Sequence, residues 1–253
     1  MRIVVKVGSA VLTEDGAVAL ERMQALVTFL SELKKENEVI LVSSGAVSAG
    51  FTVLKLDRNI IKNKQALASL GQPILMDKYA KKFAKYNLLC SQVLVTAANL
   101  SKKDDIQRVR NTVEVLLENG IIPIVNENDA TSTDELEVGD NDQLSAYITK
   151  HVNADLLMIL SDIDAYYDAD PRKESSAKVL KVVNTISEAE LCKEATPNNV
   201  FATGGIVTKL KAAAYLLESD IDMFLASGFD LSDAKSFTLE KNHKGGTLFT
   251  KAK

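Results

Sequence analysis

Leu156-Leu157-Met158-Ile159-Leu160-Ser161-Asp162 is the stretch on which the fold turns. Five consecutive apolar residues leave no polar face, so the segment reads as a strand covered on both sides, which is the habit of parallel sheets. It stops abruptly at a serine and an aspartate.

The same design recurs along the chain. Ile3-Val4-Val5-Lys6-Val7, Val39-Ile40-Leu41-Val42, Leu88 to Val95 and Ile121-Ile122-Pro123-Ile124-Val125 read as strands, and Met223-Phe224-Leu225-Ala226 and Thr247-Leu248-Phe249 add two more. Pro123 lacks an amide proton and predicts a strand start or an edge. Between the strands lie helical patterns. Leu20, Met23, Val27 and Leu30 recur at helical spacing, and further helices are expected around Met76–Phe83, over Asp105–Glu118, from Leu144 and over Lys209–Leu217. Asn119-Gly120 closes the helix over Asp105–Glu118 as a C-cap. Thr131–Val138 reads as a small hairpin or excursion. Alternating strands and helices specify an α/β domain with a mostly parallel sheet and helices on both faces. No repeat or linker interrupts it, so one domain over 1–253 is expected.

In such sheets ligands bind beyond the carboxyl ends of the strands. Lys6-Val7-Gly8-Ser9, Ser43-Ser44-Gly45, Asn126-Glu127-Asn128-Asp129 and Ser161-Asp162 all fall there. Four strand ends carrying small or acidic groups form a composite signal for a polar site. Lys6 within an apolar strand reads either as an edge gatekeeper or as a cation aimed at a phosphate. Gly8 favours the second, because it lets the backbone approach an anion closely. Ser43-Ser44-Gly45 reads as a serine N-cap or as an anion site at a helix start. Thr203-Gly204-Gly205-Ile206-Val207-Thr208-Lys209 is a glycine-rich turn opening a helix, suited to an anion nest. Gly139-Asp140-Asn141-Asp142-Gln143-Leu144-Ser145 places more polar groups ahead of a helix than one cap requires. Ser161-Asp162 with Tyr166-Tyr167 and Asp170-Pro171-Arg172 reads as a polar loop or as a nucleotide pocket with an aromatic wall.

Several classes fall away. A net charge of −4 argues against a nucleic-acid partner. Neither a secretory leader nor a run long enough to cross a membrane is present, and a cytoplasmic protein is expected. Cys90 and Cys192 form no metal or redox motif and read as small buried hydrophobes. With only His151 and His243, neither a zinc site nor a Ser–His–Asp set is suggested; His151 reads as a cation ending a helix. Neither the G-x-x-x-x-G-K-[ST] nor the G-x-G-x-x-G fingerprint occurs. Separated lysines, glycine-rich turns and clustered carboxylates fit phosphoryl transfer, which needs positioning and charge neutralisation.

Taken together, Lys6-Val7-Gly8-Ser9, Val42-Ser43-Ser44-Gly45-Ala46, Asn126-Glu127-Asn128-Asp129-Ala130, Val138 through Ala146, Thr203-Gly204-Gly205 through Lys209 and Gly246-Thr247-Leu248-Phe249 resemble the amino-acid kinase family over nearly the whole chain. Within that family the resemblance is to members that phosphorylate the side-chain carboxylate of L-glutamate, the first step towards proline. It implies a three-layer αβα sandwich, ATP with Mg2+, and defined roles. Lys6 and Lys209 would neutralise the migrating phosphoryl group, and Asp142 would hold them. Ser44, Asp129 and Asn141 would bind glutamate, with Asp140 orienting it. Lys6, Gly8, Ser161, Asp162 and the turn Thr203, Gly204, Gly205, Ile206, Val207, Thr208, Lys209 would hold the nucleotide. No protein side chain is assigned to the metal. Ser161 stands where a threonine is usual and keeps the hydroxyl, and Ile163–Tyr167 lacks a usual glycine. The resemblance also suggests proline as a feedback inhibitor, a homo-oligomer, a glutamyl phosphate reductase as partner, and no added RNA-binding-like module. Kinases of the same fold acting on N-acetylglutamate, aspartate, carbamate or a nucleoside monophosphate remain alternatives, as does a non-catalytic sensor.

Overall fold

The computed structural model describes residues 1–131, 141–192 and 205–252. In chain order the elements are β1 (Arg2–Val7), α1 (Ser9–Leu12), β2 (Thr13–Glu14), β3 (Ala17–Val18), α2 (Leu20–Leu33), β4 (Glu38–Ser43), α3 (Ala46–Phe51), α4 (Ile61–Ala84), β5 (Cys90–Val95), α5 (Ala97–Ser101), α6 (Lys103–Glu118) and β6 (Ile122–Glu127). There follow α7 (Asn141–His151), β7 (Leu156–Ser161), β8 (Val182–Val183), α8 (Glu188–Leu191), α9 (Ile206–Leu217), β9 (Asp222–Ser227), α10 (Ser232–Thr238) and β10 (Thr247–Phe249).

Eight strands form one sheet in the order β5-β6-β4-β1-β7-β9-β10-β8. From β5 to β9 every pairing is parallel. β10 runs antiparallel to β9 and carries β8 along its far side. β1 lies between β4 and β7, which removes the edge-gatekeeper reading of Lys6.

The period of two along β1 divides the core. Ile3, Val5 and Val7 face α2, α4 and α10, packing with Met23, Phe29, Leu30, Tyr79 and Phe83. Val4 faces the opposite way, into the layer of α6, α7 and α9 with Leu117, Leu144, Ile148 and Leu210. Helices thus cover both faces, as the unbroken apolar strands demand. Lys6 shares the alternate face with Val4, so a strand position directs its amine towards α7 and α9.

Several expectations are sharpened. The helix placed around Met76–Phe83 is the end of a much longer α4, which continues through Pro73. It packs on α3 through small residues: a Cβ on Gly71 would overlap the Ala46 backbone, and one on Gly50 that of Leu67. Pro123 is the second residue of β6, which is not an edge. The neighbouring Ile122 amide donates towards the β5 side, to the Leu89 carbonyl. The imino nitrogen of Pro123 therefore faces β4, whose pairing with β6 starts only at Leu41–Ile124. The hairpin expected over Thr131–Val138 lies, past its first residue, outside the described residues. A different hairpin, β2 with β3, turns through Asp15 and Gly16, both at positive φ.

Cys90 is half-buried against the core, and burial pushes its thiol up to about 11. Cys192 is exposed, contrary to the buried reading. His151 does end α7, but burial and the nearby Lys150 and Arg110 lower its pKa, which disfavours the imidazolium. The helix end meets cations in Lys150, in its last turn, and in Arg110, whose Nε donates to the His151 carbonyl at 2.7 Å.

Candidate active site

The parallel strands bring their carboxyl ends to one edge of the sheet. Lys6 and Gly8 come from β1 and the turn after it, Ser43 and Ser44 from the end of β4, Asn126, Glu127 and Asp129 from the end of β6, and Ser161 and Asp162 from the end of β7. The N-termini of α7 and α9 meet this edge and complete the cluster.

Asp142, in the first turn of α7, is its centre. Lys6 Nζ donates to Oδ1 at 2.5 Å, and Lys209 Nζ donates to Oδ2 at 3.0 Å. Thr208 Oγ1 donates to the same Oδ2 at 2.8 Å. Asp142 is fully buried, Lys209 is 2% exposed and Lys6 is 5% exposed. Burial alone would raise the Asp142 pKa. The charges of Lys6 and Lys209, with hydrogen bonds from Lys6 and Thr208, overcome it and hold the carboxyl well below the usual carboxylate range. Two cations 203 positions apart in sequence are thereby drawn to one point by a single carboxylate.

The local structure explains how each arm arrives. Lys209 lies one turn into α9, which begins three residues earlier than its apolar periodicity indicates. Ile206, Val207 and Thr208 are therefore helical residues rather than members of a loop. Their amides have no intrahelical acceptor. Val207 is buried in the protein. The Gly205 carbonyl accepts from Thr208 Oγ1 at 2.9 Å and from Lys209 Nζ at 3.4 Å. Gln143 Nε2 donates to the Thr208 carbonyl at 3.2 Å, tying α7 to α9. Thr203, Gly204 and Asp140 lie outside the described residues.

Gly8 has an ordinary φ of −74°, so its backbone does not require glycine. Its amide is already committed to the Leu160 carbonyl at 3.1 Å. Space does not require it either: a Cβ there would stand 3.8 Å from Lys6 Nζ, an ordinary contact. The serine N-cap reading also changes. Gly45, at φ 108°, caps α3 with no side-chain hydrogen bond, leaving Ser44 for another partner. That partner is Asn141, whose Nδ2 donates to Ser44 Oγ at 2.7 Å. Ser43 Oγ meets Tyr79 Oη at 2.8 Å and anchors the end of β4 to α4.

Sequence reasoning placed Asn126 at the sheet edge without giving it a role, and it missed Gln72 behind it. Asn141 Nδ2 also donates to Asn126 Oδ1 at 3.1 Å, and Asn126 Nδ2 donates to Gln72 Oε1 at 3.0 Å. Asn126 had a signal, an amide closing the apolar run Ile122–Val125. Gln72 had none, because its helix was placed too late. Near the end of β6, burial and then the Glu127 carboxylate push the Asp129 carboxyl up to about 6, against the pull of Lys64. At the end of β7, Ser161 Oγ donates to Asp162 Oδ1 at 3.0 Å. Tyr166 packs against Phe249 at 6.1 Å and hydrogen-bonds Glu190, so it serves the packing of the β10 region.

The arrangement suits transfer of a strongly anionic group. Paired amines are held by a buried carboxylate, and a neutral polar network lies beside them on the next strand ends. Solved structures show the same architecture. An isopentenyl phosphate kinase structure superposes with a TM-score of 0.70 at 15% identity, over 99% of this chain and all of that one. Carbamate kinase from Giardia lamblia, bound to AMP-PNP, gives 0.68 at 13% identity, over 99% and 98%. Closer likeness is found in sequence. A glutamate 5-kinase of Leishmania donovani is 50% identical over 248 residues, covering 98% of this chain and 94% of its own. One of Wolinella succinogenes is 50% identical over 253 residues, covering 98% and 97%. The sequence model of the amino acid kinase family matches residues 1–227, which include Lys6, Asp142 and Lys209. Fold, site and sequence agree, and the chain belongs to the amino acid kinase family.

Proposed function

We propose that the chain transfers the γ-phosphoryl group of ATP to the side-chain carboxylate of L-glutamate, giving L-glutamyl 5-phosphate. The observation that carries this reading is the convergence of Lys6 and Lys209 on Asp142, at 2.5 and 3.0 Å. The acceptor is specified by likeness to the glutamate 5-kinases.

The acceptor carboxylate is ionised at neutral pH, so no general base is needed. The obstacle is the approach of an anion to a polyanion. Lys6 and Lys209 lower that repulsion, and their rigid supports, a central strand and a helix start, hold the amines in place before substrate arrives. Asp142 positions the two lysines and moves no proton. Amides in the first turn of α9 face the nucleotide phosphates. Ser44, Asn141 and Asp129 bind the amino-acid portion of glutamate, and Ser161 and Asp162 lie on the nucleotide side. Both Asp142 oxygens are occupied by lysines and Thr208, and among the described residues no three acidic, imidazole or thiol groups cluster as a metal site. These residues fit a magnesium ion that enters on the ATP phosphates, its common mode of binding. Magnesium there would neutralise part of the phosphate charge.

The same reading places the chain at the start of proline synthesis in the cytoplasm, as one catalytic domain of a homo-oligomer. Its labile acyl phosphate would pass to a reductase, and proline would compete at or near the glutamate site. ADP release measured with ATP, magnesium and a panel of acceptors tests the assignment. Release dependent on L-glutamate and slowed by proline is expected. No turnover, or preference for N-acetylglutamate, aspartate, carbamate or a nucleoside monophosphate, overturns it.

A further inference from the structure

Four side-chain amides form a directional chain that runs from the site to the surface. Asn141 Nδ2 donates to Asn126 Oδ1 at 3.1 Å, Asn126 Nδ2 to Gln72 Oε1 at 3.0 Å, and Gln72 Nε2 to Gln92 Oε1 at 3.0 Å. The two inner links, Asn126 and Gln72, each accept from the side nearer the site and donate outward, with Asn141 the donor at one end and Gln92 the acceptor at the other. Asn126 is 2% exposed and Gln72 is 7% exposed. Gln92 sits on β5, the edge strand, and is exposed.

The direction has a chemical consequence at the inner end. An amide offers two N–H donors and one carbonyl acceptor. Asn141 directs its NH2 at both Asn126 and Ser44, so the group that remains is its carbonyl. Ser44 accepts from Asn141, which leaves the hydroxyl proton to donate. One position therefore presents an acceptor, suited to an ammonium, and its neighbour a donor, suited to a carboxylate. Reversal of the chain would exchange the first: Asn126 would turn its NH2 inward, onto Asn141 Oδ1, and Asn141 would present N–H groups.

We propose that Gln72 is a positioning residue for the acceptor substrate, fixing through Asn126 the amide polarity of Asn141 so that the site takes a free α-ammonium beside a carboxylate. This rests on the glutamate-phosphorylating reading and adds a specificity device to it. A buried chain of hydrogen bonds is cooperative, so the setting at Gln72 passes inward as a unit. Discrimination follows because a substrate that lacks the amine leaves the half-buried Asn141 carbonyl unpaired beneath it.

The experiment compares L-glutamate with glutarate, which lacks the amine, by ADP release. Turnover of L-glutamate by the unaltered protein tests the underlying reading separately. Gln72→Met is expected to raise KM for L-glutamate about tenfold with kcat within about twofold, and to narrow the preference for glutamate over glutarate by about tenfold. Gln72→Glu keeps an acceptor towards Asn126 and should restore both. If Gln72→Met does not fold, the surface pair Gln92→Glu and Gln92→Lys decides. Glutamate at 92 can only accept and preserves the direction, so KM stays unchanged. Lysine at 92 can only donate and reverses it, so KM for L-glutamate rises and glutarate gains on it. Simple charge attraction predicts the opposite sign for lysine, a lower KM for an anionic substrate. Unchanged KM in folded Gln72→Met, or a KM in Gln92→Lys equal to or below that in Gln92→Glu, overturns the proposal.

Discussion

Asn141 and Asp142 are neighbours in the first turn of α7, yet one joins a network of neutral amides and the other a cluster of ions. Asp142 holds Lys6 and Lys209, which come from the two ends of the chain. Asn141 holds Ser44 and Asn126, which come from the ends of β4 and β6. The difference follows from what each side must do. The ionic side meets a group whose charge is redistributed during reaction, so fixed opposite charge acts on the barrier. The amide side meets parts of a substrate that do not change. Neutral hydrogen bonds there contribute to binding and to selection. If this division holds, substitutions on the two sides separate cleanly into effects on kcat and on KM.

The largest effect is expected for Lys209→Ala. Loss of one of two ammonium groups at the phosphoryl position should lower kcat about 10³-fold and leave KM for glutamate within a few-fold. Steady-state ADP release measures both. An unchanged kcat would make Lys209 a structural partner of Asp142 only, and the ionic side would lose its catalytic meaning.

Asp142→Asn comes next. The carboxylate acts through the lysines, so kcat should fall about 10²-fold. It also stabilises the fold, because its removal strands two buried ammonium groups at a cost of about 3–5 kcal/mol. The sign of the pH dependence follows from the depressed folded pKa. The stabilisation is complete above the unfolded carboxylate range near 4 and is lost as pH falls through the lower folded value. Thermal melts from pH 7 down to about 2 should show the unaltered protein keeping its advantage over Asp142→Asn until about pH 4 and losing it progressively below that. Parallel melting curves would remove Asp142 from the stability of the domain.

The two sides also differed in how far they could be read from sequence. Strand ends gave the sheet edge and placed Lys6, Ser44, Asp129 and Ser161 along it, because buried parallel strands have an unmistakable apolar signature. The pairing of Lys6 with Asp142 and Lys209 was accessible only through family resemblance. No periodicity links positions 6, 142 and 209. The amide side was the harder one. Gln72 lies in a helix whose first turns carry lysines and polar residues, with a proline following, so its pattern suggests no buried face there. Gly45 and Thr208 were legible as residues but not in role. A cap is set by backbone φ, and a hydroxyl partner by tertiary packing.

Asn141→Ala tests the amide side directly. It removes the donor to Ser44 and the carbonyl offered to substrate, so KM for L-glutamate should rise about tenfold, with a smaller change in kcat. Equal loss in kcat and kcat/KM would mean that Asn141 acts on the transition state, and the division between the two sides would fail.

The smallest effect is a pH dependence, and it lies between the two sides. Asp129 is ionisable, yet burial and Glu127 place its carboxyl at about 6. In the proposed complex it pairs with the substrate ammonium, which requires the carboxylate. Below pH 6 the free protein holds the proton there, and binding must displace it. KM for L-glutamate should therefore rise as pH falls from 7.5 to 5.5, approaching about tenfold per unit at the acid end. In Asp129→Asn the starting KM should be higher and this slope should vanish, while kcat keeps whatever pH profile the ionic side imposes. If the slope persists in Asp129→Asn, another group carries it. Glu127 is then the first to replace, since it lies close enough to raise the Asp129 pKa. A flat KM in the unaltered protein would mean that Asp129 meets its substrate as a neutral acid, and the ammonium would be held by the amide side alone.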